Sequence, residues 1–530
     1  MTRRRKWGLA IAAAAVIAVA GLYVAGVILG RRFEPYIRQQ AEQYLRTRFH
    51  SDAQIGALNV QMPHLSPLRM LFSRGRGELA FVEGENVSLK LKGARAELPP
   101  LFTIRKFSCG VDLGALWGTP KHVPLVTVEG LEINIPPKGE RAAVDTDRTE
   151  ADEADREAES RPTVIIDRVL IHDASLVLFP RERTKRPLHF AIHDLKLESA
   201  GPGVAMKYDA MLRNPTPPGE IHSTGSFGPW HAGEPGDTPL NGAYTFDHAD
   251  LGVFRGIAGI LHSIGRFEGS LDSITARGEA VVPDFRLKRS GQPVPLSTRF
   301  EVLVDGTNGN TTLKPVVATL GSTHFTTSGA VFKNEGDRHR SIVLDVNMPD
   351  GQMRDVLRLA MKGPPFMEGH LNLKTKLAIP PLDGKVKQKL LLDGRFDVTD
   401  GHFLKSTIQD QIDGLSRRGQ GQPKNEEVDE VISRMTGRFL LENALITFSE
   451  LTFGVPGADV ALNGGYNLDQ DDLDFRGALR LQAKISQTMT GWKHWLLKPI
   501  DPFFAKNGAG TFLKIKVTGS SKQPKFGIDL

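Results

Sequence analysis

Cysteine is almost missing from this 530-residue chain, which carries only Cys109. A single thiol excludes an intramolecular disulfide framework and any zinc site built on cysteines. It assigns no compartment, because a large domain in an oxidising space need not use disulfides. Tyrosine (6) and tryptophan (5) are scarce beside phenylalanine (27). That bias supplies apolar surface with no polar handle, which suits a dry core or a greasy channel. Charge of one sign is also lacking over most of the chain. A net charge of +6 with an isoelectric point near 9.2 invites a nucleic-acid reading. Yet residues 1–50 hold nine basic side chains against two acidic ones, and residues 140–161 hold nine acidic against four basic. The other 458 residues carry only +4, so the body is nearly neutral and nucleic acid drops out as a partner.

Motifs of chemistry are lacking as well. There is no GxxxxGK[ST], no HExxH and no GxSxG. Gly75-Arg-Gly77-Glu-Leu-Ala80 matches GxGxxA but leads into alternating sequence rather than a helix. His189 and His193 sit in an alternating stretch; on a strand they would lie ~13 Å apart, too far to share one ion. Asp469, Asp471, Asp472 and Asp474 lack the glycine and terminal glutamate of a calcium loop, so a polar hairpin tip is expected. Cys109 reads as a small core residue. The sequence thus predicts no enzyme, with no catalytic residues, no metal site and no cofactor.

What is present begins at the N-terminus. Residues 7–29 run without a charge, and as a helix they would span roughly 34 Å, enough to cross a bilayer. Trp7, Leu9, Ile11, Val16, Ile17, Leu22, Tyr23, Val27 and Leu29 are the apolar residues of this expected anchor. A cleaved signal peptide ending at Ala18-Val19-Ala20 is the competing reading, but the apolar run continues nine residues past Ala20. Arg3, Arg4, Arg5 and Lys6 favour a cytoplasmic tail at residues 1–6, with the bulk outside the cytoplasm. Residues 31–50 follow with Phe33, Ile37, Ala41, Tyr44, Leu45 and Phe49 at helical spacing, an amphipathic helix next to the membrane.

Beyond residue 50 the signal is alternation. Val87, Leu89 and Leu91 alternate with Ser88, Lys90 and Lys92; Leu131, Ile133 and Ile135 repeat the pattern, as do Leu479, Leu481, Ala483 and Ile485, and Leu513, Ile515 and Val517. Such runs, punctuated by 54 glycines and 33 prolines, read as strands of an antiparallel sheet with one wet face. Turns are expected at residues 304–310 and 467–472. Helices are expected over about 251–263, 352–361, 407–416 and 427–434. Gly394-Arg-Phe396 and Gly437-Arg-Phe439 echo one another 43 residues apart, and Gly265-Arg-Phe267 is a third copy. Residues 139–162 are charged and without apolar periodicity, a disordered acidic linker; residues 416–427 form a shorter one. They delimit an N-terminal β module (51–138), a central β region (163–415) and a C-terminal β module (428–530).

Residues 488–511 resist a bland reading. Trp492, Trp495, Leu496, Leu497, Phe503 and Phe504 crowd into 13 positions, with Lys493 and Lys498 between them and Lys506 just after. Two readings stand: a plug over the end of a sheet core, or an aromatic-basic tip, made of Trp492, Lys493, Trp495, Leu496, Leu497, Phe503 and Phe504, that meets a membrane or a partner.

Several short stretches, taken in order, resemble the AsmA-like proteins of bacterial envelopes. They are Gly437-Arg-Phe-Leu, Leu451-Thr-Phe-Gly-Val-Pro-Gly-Ala458, Leu462-Asn-Gly-Gly-Tyr466, Leu473-Asp-Phe475, Gly491-Trp-Lys493, Leu497-Lys-Pro-Ile-Asp-Pro-Phe-Phe504, Val517-Thr-Gly519 and Pro524-Lys-Phe526. Lys106-Phe107, residues 116–122 and Gly130-Leu-Glu-Ile-Asn-Ile-Pro136 resemble the family's N-terminal part. The resemblance implies a mainly β fold: an N-terminal transmembrane helix, then an elongated sheet curled into a groove, with a few short helices. It implies a single-pass inner-membrane protein with its bulk in the periplasm. Larger relatives are thought to carry phospholipid between membranes, as chorein-type bridge proteins do, so the expected partners are membrane phospholipid, the inner membrane and outer-membrane or envelope proteins. The family supplies no catalytic residues. The alternative function is a non-transporting scaffold or assembly factor for outer-membrane components.

Overall fold

A computed structural model describes residues 51–529 except 62–78, 92–98, 113–120, 136–163, 180–186, 201–204, 230–234, 307, 335, 338, 424–430, 489–509 and 521–522. The anchor residues Trp7 to Leu29, the amphipathic segment and the tip residues Trp492 to Phe504 lie outside the described residues. Among the described residues no helix is long and apolar enough to cross a membrane.

The protein is mainly β, and its chain divides into two compact units. The first contains β1 (Ser51–Gln61), β2 (Leu79–Leu91), β3 (Phe102–Asp112), β4 (Lys121–Ile135), β5 (Val164–Leu178), β6 (Leu188–Ala200), β7 (Met206–Pro215), β8 (Pro218–Phe227) and β9 (Pro239–Asp250). Each strand pairs with the next in sequence. All pairs are antiparallel except β4 with β5, which run parallel from Lys121 opposite Val164 to Ile135 opposite Leu178. The expectation of a purely antiparallel sheet is therefore corrected to a mixed one. Parallel neighbours need a crossover of a dozen residues or more, and the charged segment 136–163 joins these two strands.

The second unit contains β10 (Ile257–Ala258), β11 (Ile260–Ser270), β12 (Ser273–Val282), β13 (Arg286–Leu287), β14 (Leu296–Val304), β15 (Thr311–Leu320), β16 (Thr323–Phe332), β17 (Ser341–Gln352), helix α1 (Met353–Ala360) and β18 (Met367–Ile379). It continues through α2 (Val386–Lys389), β19 (Leu391–Phe403), α3 (Ser406–Gly419), β20 (Ser433–Glu442), β21 (Leu445–Val455), β22 (Ala458–Asn467), β23 (Asp472–Leu481), β24 (Thr511–Ser520) and β25 (Gln523–Ile528). Residues 265–274, in β11 and β12, group with the first unit. From β14 to β25 every strand pairs antiparallel with its successor. β10 and β13 form a separate two-stranded ribbon.

Antiparallel order gives the strands of the second unit two distinct ends. At the hairpin end, β20 and β21 are joined by Asn443 and Ala444 alone, both with positive φ (51° and 62°). At the opposite, helix end, the connections carry α1 and α3. Met353, Val356 and Leu357 of α1 pack on Met348, Met367, Leu371 and Val398 of the sheet. The helix stops ahead of Pro364 and Pro365, which cannot continue it. α3 packs Ile412 and Leu415 on Val431, Val455, Ala458 and Leu481.

One expected helix is not a helix, and the described part of another is not helical. Residues 251–263 hold one 3-10 turn, Leu251–Val253, and then β10 and the start of β11. Gly256 and Gly259 adopt φ of +102° and +139°, far from the helical region, and this breaks the pattern. In the stretch 427–434, Val431 and Ile432 are non-helical and Ser433 already begins β20. Conversely, α3 runs on to Gly419, inside the stretch read as a linker. Within neither unit does the sheet curl into a groove as expected; partial cover of the apolar face comes from the connections at the strand ends.

Candidate functional site

Alternation puts every second side chain of a strand on one face, and register decides whether those side chains line up across strands. Here they do. In the first unit Val60, Val82, Cys109, Val126, Val169, Leu197 and Tyr208 stand opposite one another in turn from β1 to β7, continuing to Gly225 and Gly242 on β8 and β9. Cys109 is the third member of this row, and burial pushes its thiol up to about 11, as for an inert core residue. In the second unit an apolar row passes from Val302 on β14 through Leu313, Gly329, Leu344, Leu377, Leu392, Leu441, Ile446 and Tyr466 to Leu473 on β23. These rows run across the strands, in the direction of strand stacking. At ~4.8 Å per strand, the second row is an apolar track of about 43 Å.

Beside that row lies a ladder of phenylalanines. Phe439 meets Phe396 at 6.2 Å and Phe448 at 6.4 Å between ring centroids; Phe448 meets Phe475 at 5.8 Å. Such contacts contribute about 0.5–1.5 kcal/mol each beyond the area they bury. Glycines alternate with the rings. Gly394 stands opposite Phe439, Gly437 opposite Phe396, and Gly464 opposite both Phe448 and Phe475. At Gly437 the Phe396 ring fills the space a side chain would take, whereas a Cβ at Gly394 would meet the Lys374 carbonyl and Thr375, and one at Gly464 the backbone of Asp474 and Phe475; the glycines keep the wall shallow. Phe107 lies over Gly84 on the first unit in the same way.

The helix end of this face is closed and its middle is open. Met367 and Val398 have no exposed surface, whereas Leu344, Leu377, Phe396, Phe439 and Phe448 remain half-buried. The closure at the helix end is polar as well as apolar. Asp355 of α1 accepts hydrogen bonds from Ser322 N, Ser322 Oγ and Thr323 Oγ1. On α3 the buried Gln409, Asp413 and Ser416, one turn apart, serve strand-end backbone. Gln409 donates to the Val431 carbonyl and accepts from Phe403 N, Asp413 accepts from Val431 N, and Ser416 donates to the Pro456 carbonyl. Strand ends that would otherwise lose water without gaining a partner are thus satisfied.

From the same end the β10–β13 ribbon extends toward α1: Gln292 donates to the carbonyls of Met361 and Gly363 at 2.7 and 2.6 Å. From the hairpin end comes the β18–β19 connection. A side chain built on Gly256, beside β10, would meet Val386 of α2 at 3.7 Å. Connections from opposite ends of the strands therefore meet on the side of the sheet that α1 covers, the apolar side.

Among the described residues, the polar candidates raised by the sequence lie apart. His189 and His193 lie four residues apart on β6, both exposed. On the outer face of the first unit, His172 pairs with Asp194 and His222 with Asp209, each at 2.8 Å. Among the described residues no three His, Cys, Asp or Glu side chains converge as metal ligands. Asp469 and Asp471 occupy the β22–β23 turn, where the sequence places a hairpin tip. Sequence reasoning missed the glycine notches and the polar stripe of α3; the repeated Gly-Arg-Phe was the one signal that pointed to the former. Comparison with protein-family models, curated proteins and solved structures finds no match to this chain.

Proposed function

We propose that the apolar face shelters the acyl chains of phospholipid and lets them pass along the track, in a protein fixed to the inner membrane by residues 7–29 with its bulk in the periplasm. The observation that carries this reading is an aligned apolar track, half-exposed along its middle and walled at one end. A phospholipid presents apolar chains and one polar head; the track would hold the chains and leave the head in water. Each CH₂ kept from water is worth about 0.8 kcal/mol, so the chains of a lipid in transit gain from even partial cover. A uniform wall discriminates little between chains, in keeping with a role in envelope lipid traffic of the AsmA-like kind.

The test is mass spectrometry of lipids retained by the gently purified full chain, followed by transfer between vesicles. Phospholipid should be retained, and Phe448→Asp, which sets a charge on the ladder, should abolish transfer while leaving the circular dichroism spectrum unchanged. A lipid-free protein, or a Phe448→Asp variant that still supports envelope assembly in cells, favours the scaffold reading instead.

A further inference from the structure

The β18–β19 connection, residues 380–390 with α2 inside it, is far longer than two antiparallel strands require. Three ties hold it, each to a different element. Asp383 Oδ1 meets His339 Nε2 of the β16–β17 connection at 2.8 Å. Val386 faces Gly256 on the ribbon that comes from the helix end. Lys387 Nζ donates to Asp469 in the β22–β23 turn. The segment therefore runs from one side of the β19–β22 region to the other on the apolar side of the sheet. It passes the short β20–β21 turn without sharing it.

None of these ties is a packed core. The side chains of Lys387 and Asp469 are 35% and 37% exposed, and Leu382 shows 59% of its surface to solvent. Exposed ion pairs hold a position and release it at small cost. Lys387, through its hydrogen bond, is the main cause that keeps the Asp469 carboxyl below the ordinary carboxylate range, with Gln388 and Lys385 adding to it.

We propose that residues 380–390 are a strap that opens and closes access to the apolar face from the hairpin end, with the Lys387–Asp469 pair as its latch. What it admits, a phospholipid chain, rests on the function proposed above; the movement of the strap does not.

The experiment uses the full chain with Cys109→Ser and one reporter thiol, Ile446→Cys, on the half-exposed apolar row near that end. Its labelling rate by a maleimide is measured beside uptake of a fluorescent phosphatidylcholine from phosphatidylcholine vesicles. Lys387→Glu and Asp469→Lys should each raise labelling several-fold, since both replace attraction by repulsion, and the double exchange should return it to the parental rate. Both sites are on the surface, and the milder Lys387→Gln serves if a reversal lowers yield. Labelling that ignores all three single changes, or that stays high in the double exchange, overturns the strap. If labelling responds as expected and no variant takes up lipid, the strap stands and the lipid reading falls.

Discussion

Phe396 on β19 lies across Gly437 on β20: a Cβ at Gly437 would sit 2.7 Å from the ring's Cε1. The converse pair, Gly394 and Phe439, faces it two residues along, with Arg395 opposite Arg438 on the other face. Two copies of Gly-Arg-Phe thus pair head to tail in register, and the ring of the first uses the glycine of the second. The ring of the third copy, Phe267, also lies near a glycine outside the repeat: a Cβ at Gly242 would come 3.0 Å from its Cζ, after Tyr208 Oη and the Thr224 carbonyl at 2.5 and 2.6 Å. Gly437→Ala should therefore overpack the face and cost about 1–3 kcal/mol. Combined with Phe396→Leu, the loss should be smaller than the sum of the two single losses. Urea midpoints followed by circular dichroism check this, and strict additivity would contradict a shared notch.

Asp355 gives the second expectation. It sits in the first turn of α1, is 7% exposed, and one carboxylate oxygen takes three hydrogen bonds from Ser322 and Thr323. Thr323 Oγ1 in turn accepts from Gln352 N. Gly321, at φ +61°, has no room for a side chain beside that carboxylate. Asp355→Ala strands these donors and should cost about 3 kcal/mol, with Asp355→Asn costing less. Hydrogen exchange at the Ser322 amide should quicken in both, most in the alanine variant.

Glu301 sets an acid limit. Hydrogen bonds from Lys314 and Arg277, on the two neighbouring strands, hold its carboxyl down at about 2, against an ordinary 4.5. A carboxylate held low contributes stability that is complete above pH 4.5 and is lost as pH falls through 2. Glu301→Gln should therefore melt below the parent at pH 7, and the gap should close by about pH 2. Added salt should narrow the gap at pH 7, because the cluster is exposed.

Alternation made the strands legible in the sequence, since a half-wet sheet writes its two faces into every second residue. Strand direction left no such mark: parallel β4–β5 shows the same periodicity as the antiparallel pairs, and only register reveals it. The helical stretch expected at 251–263 failed because Gly252, Gly256 and Gly259 outweigh the apolar spacing of Leu251, Phe254 and Ile257. α3 hid its buried face because Gln409, Asp413 and Ser416 look like a solvated stripe until the strand-end amides and carbonyls they serve are known. For the apolar site, composition announced the phenylalanines, but their assembly into a ladder depends on pairing between strands as far apart in sequence as Phe396 and Phe475.

The parallel pair makes the length of the charged segment matter more than its composition. After Ile135 the chain must return along the whole of β4 to start β5 beside Lys121, a distance of about 46 Å at ~3.3 Å per residue. Residues 136–163 provide 28 residues for this, ample at a limit of ~3.5 Å per residue. Removing residues 146–155 leaves a reach of about 65 Å, so the pairing of β4 with β5 should survive. Removing residues 141–160 leaves about 30 Å, which cannot close the crossover, so β4 and β5 must separate or shift register. The same 20-residue deletion refilled with glycine and serine should restore the pair, because reach and not charge is what the connection supplies. Hydrogen exchange of the β5 amides that bond to β4, slow in the parent, the short deletion and the refilled chain but fast in the long deletion, would bear this out; slow exchange of those amides in the long deletion would show that the pair does not depend on the reach of this connection.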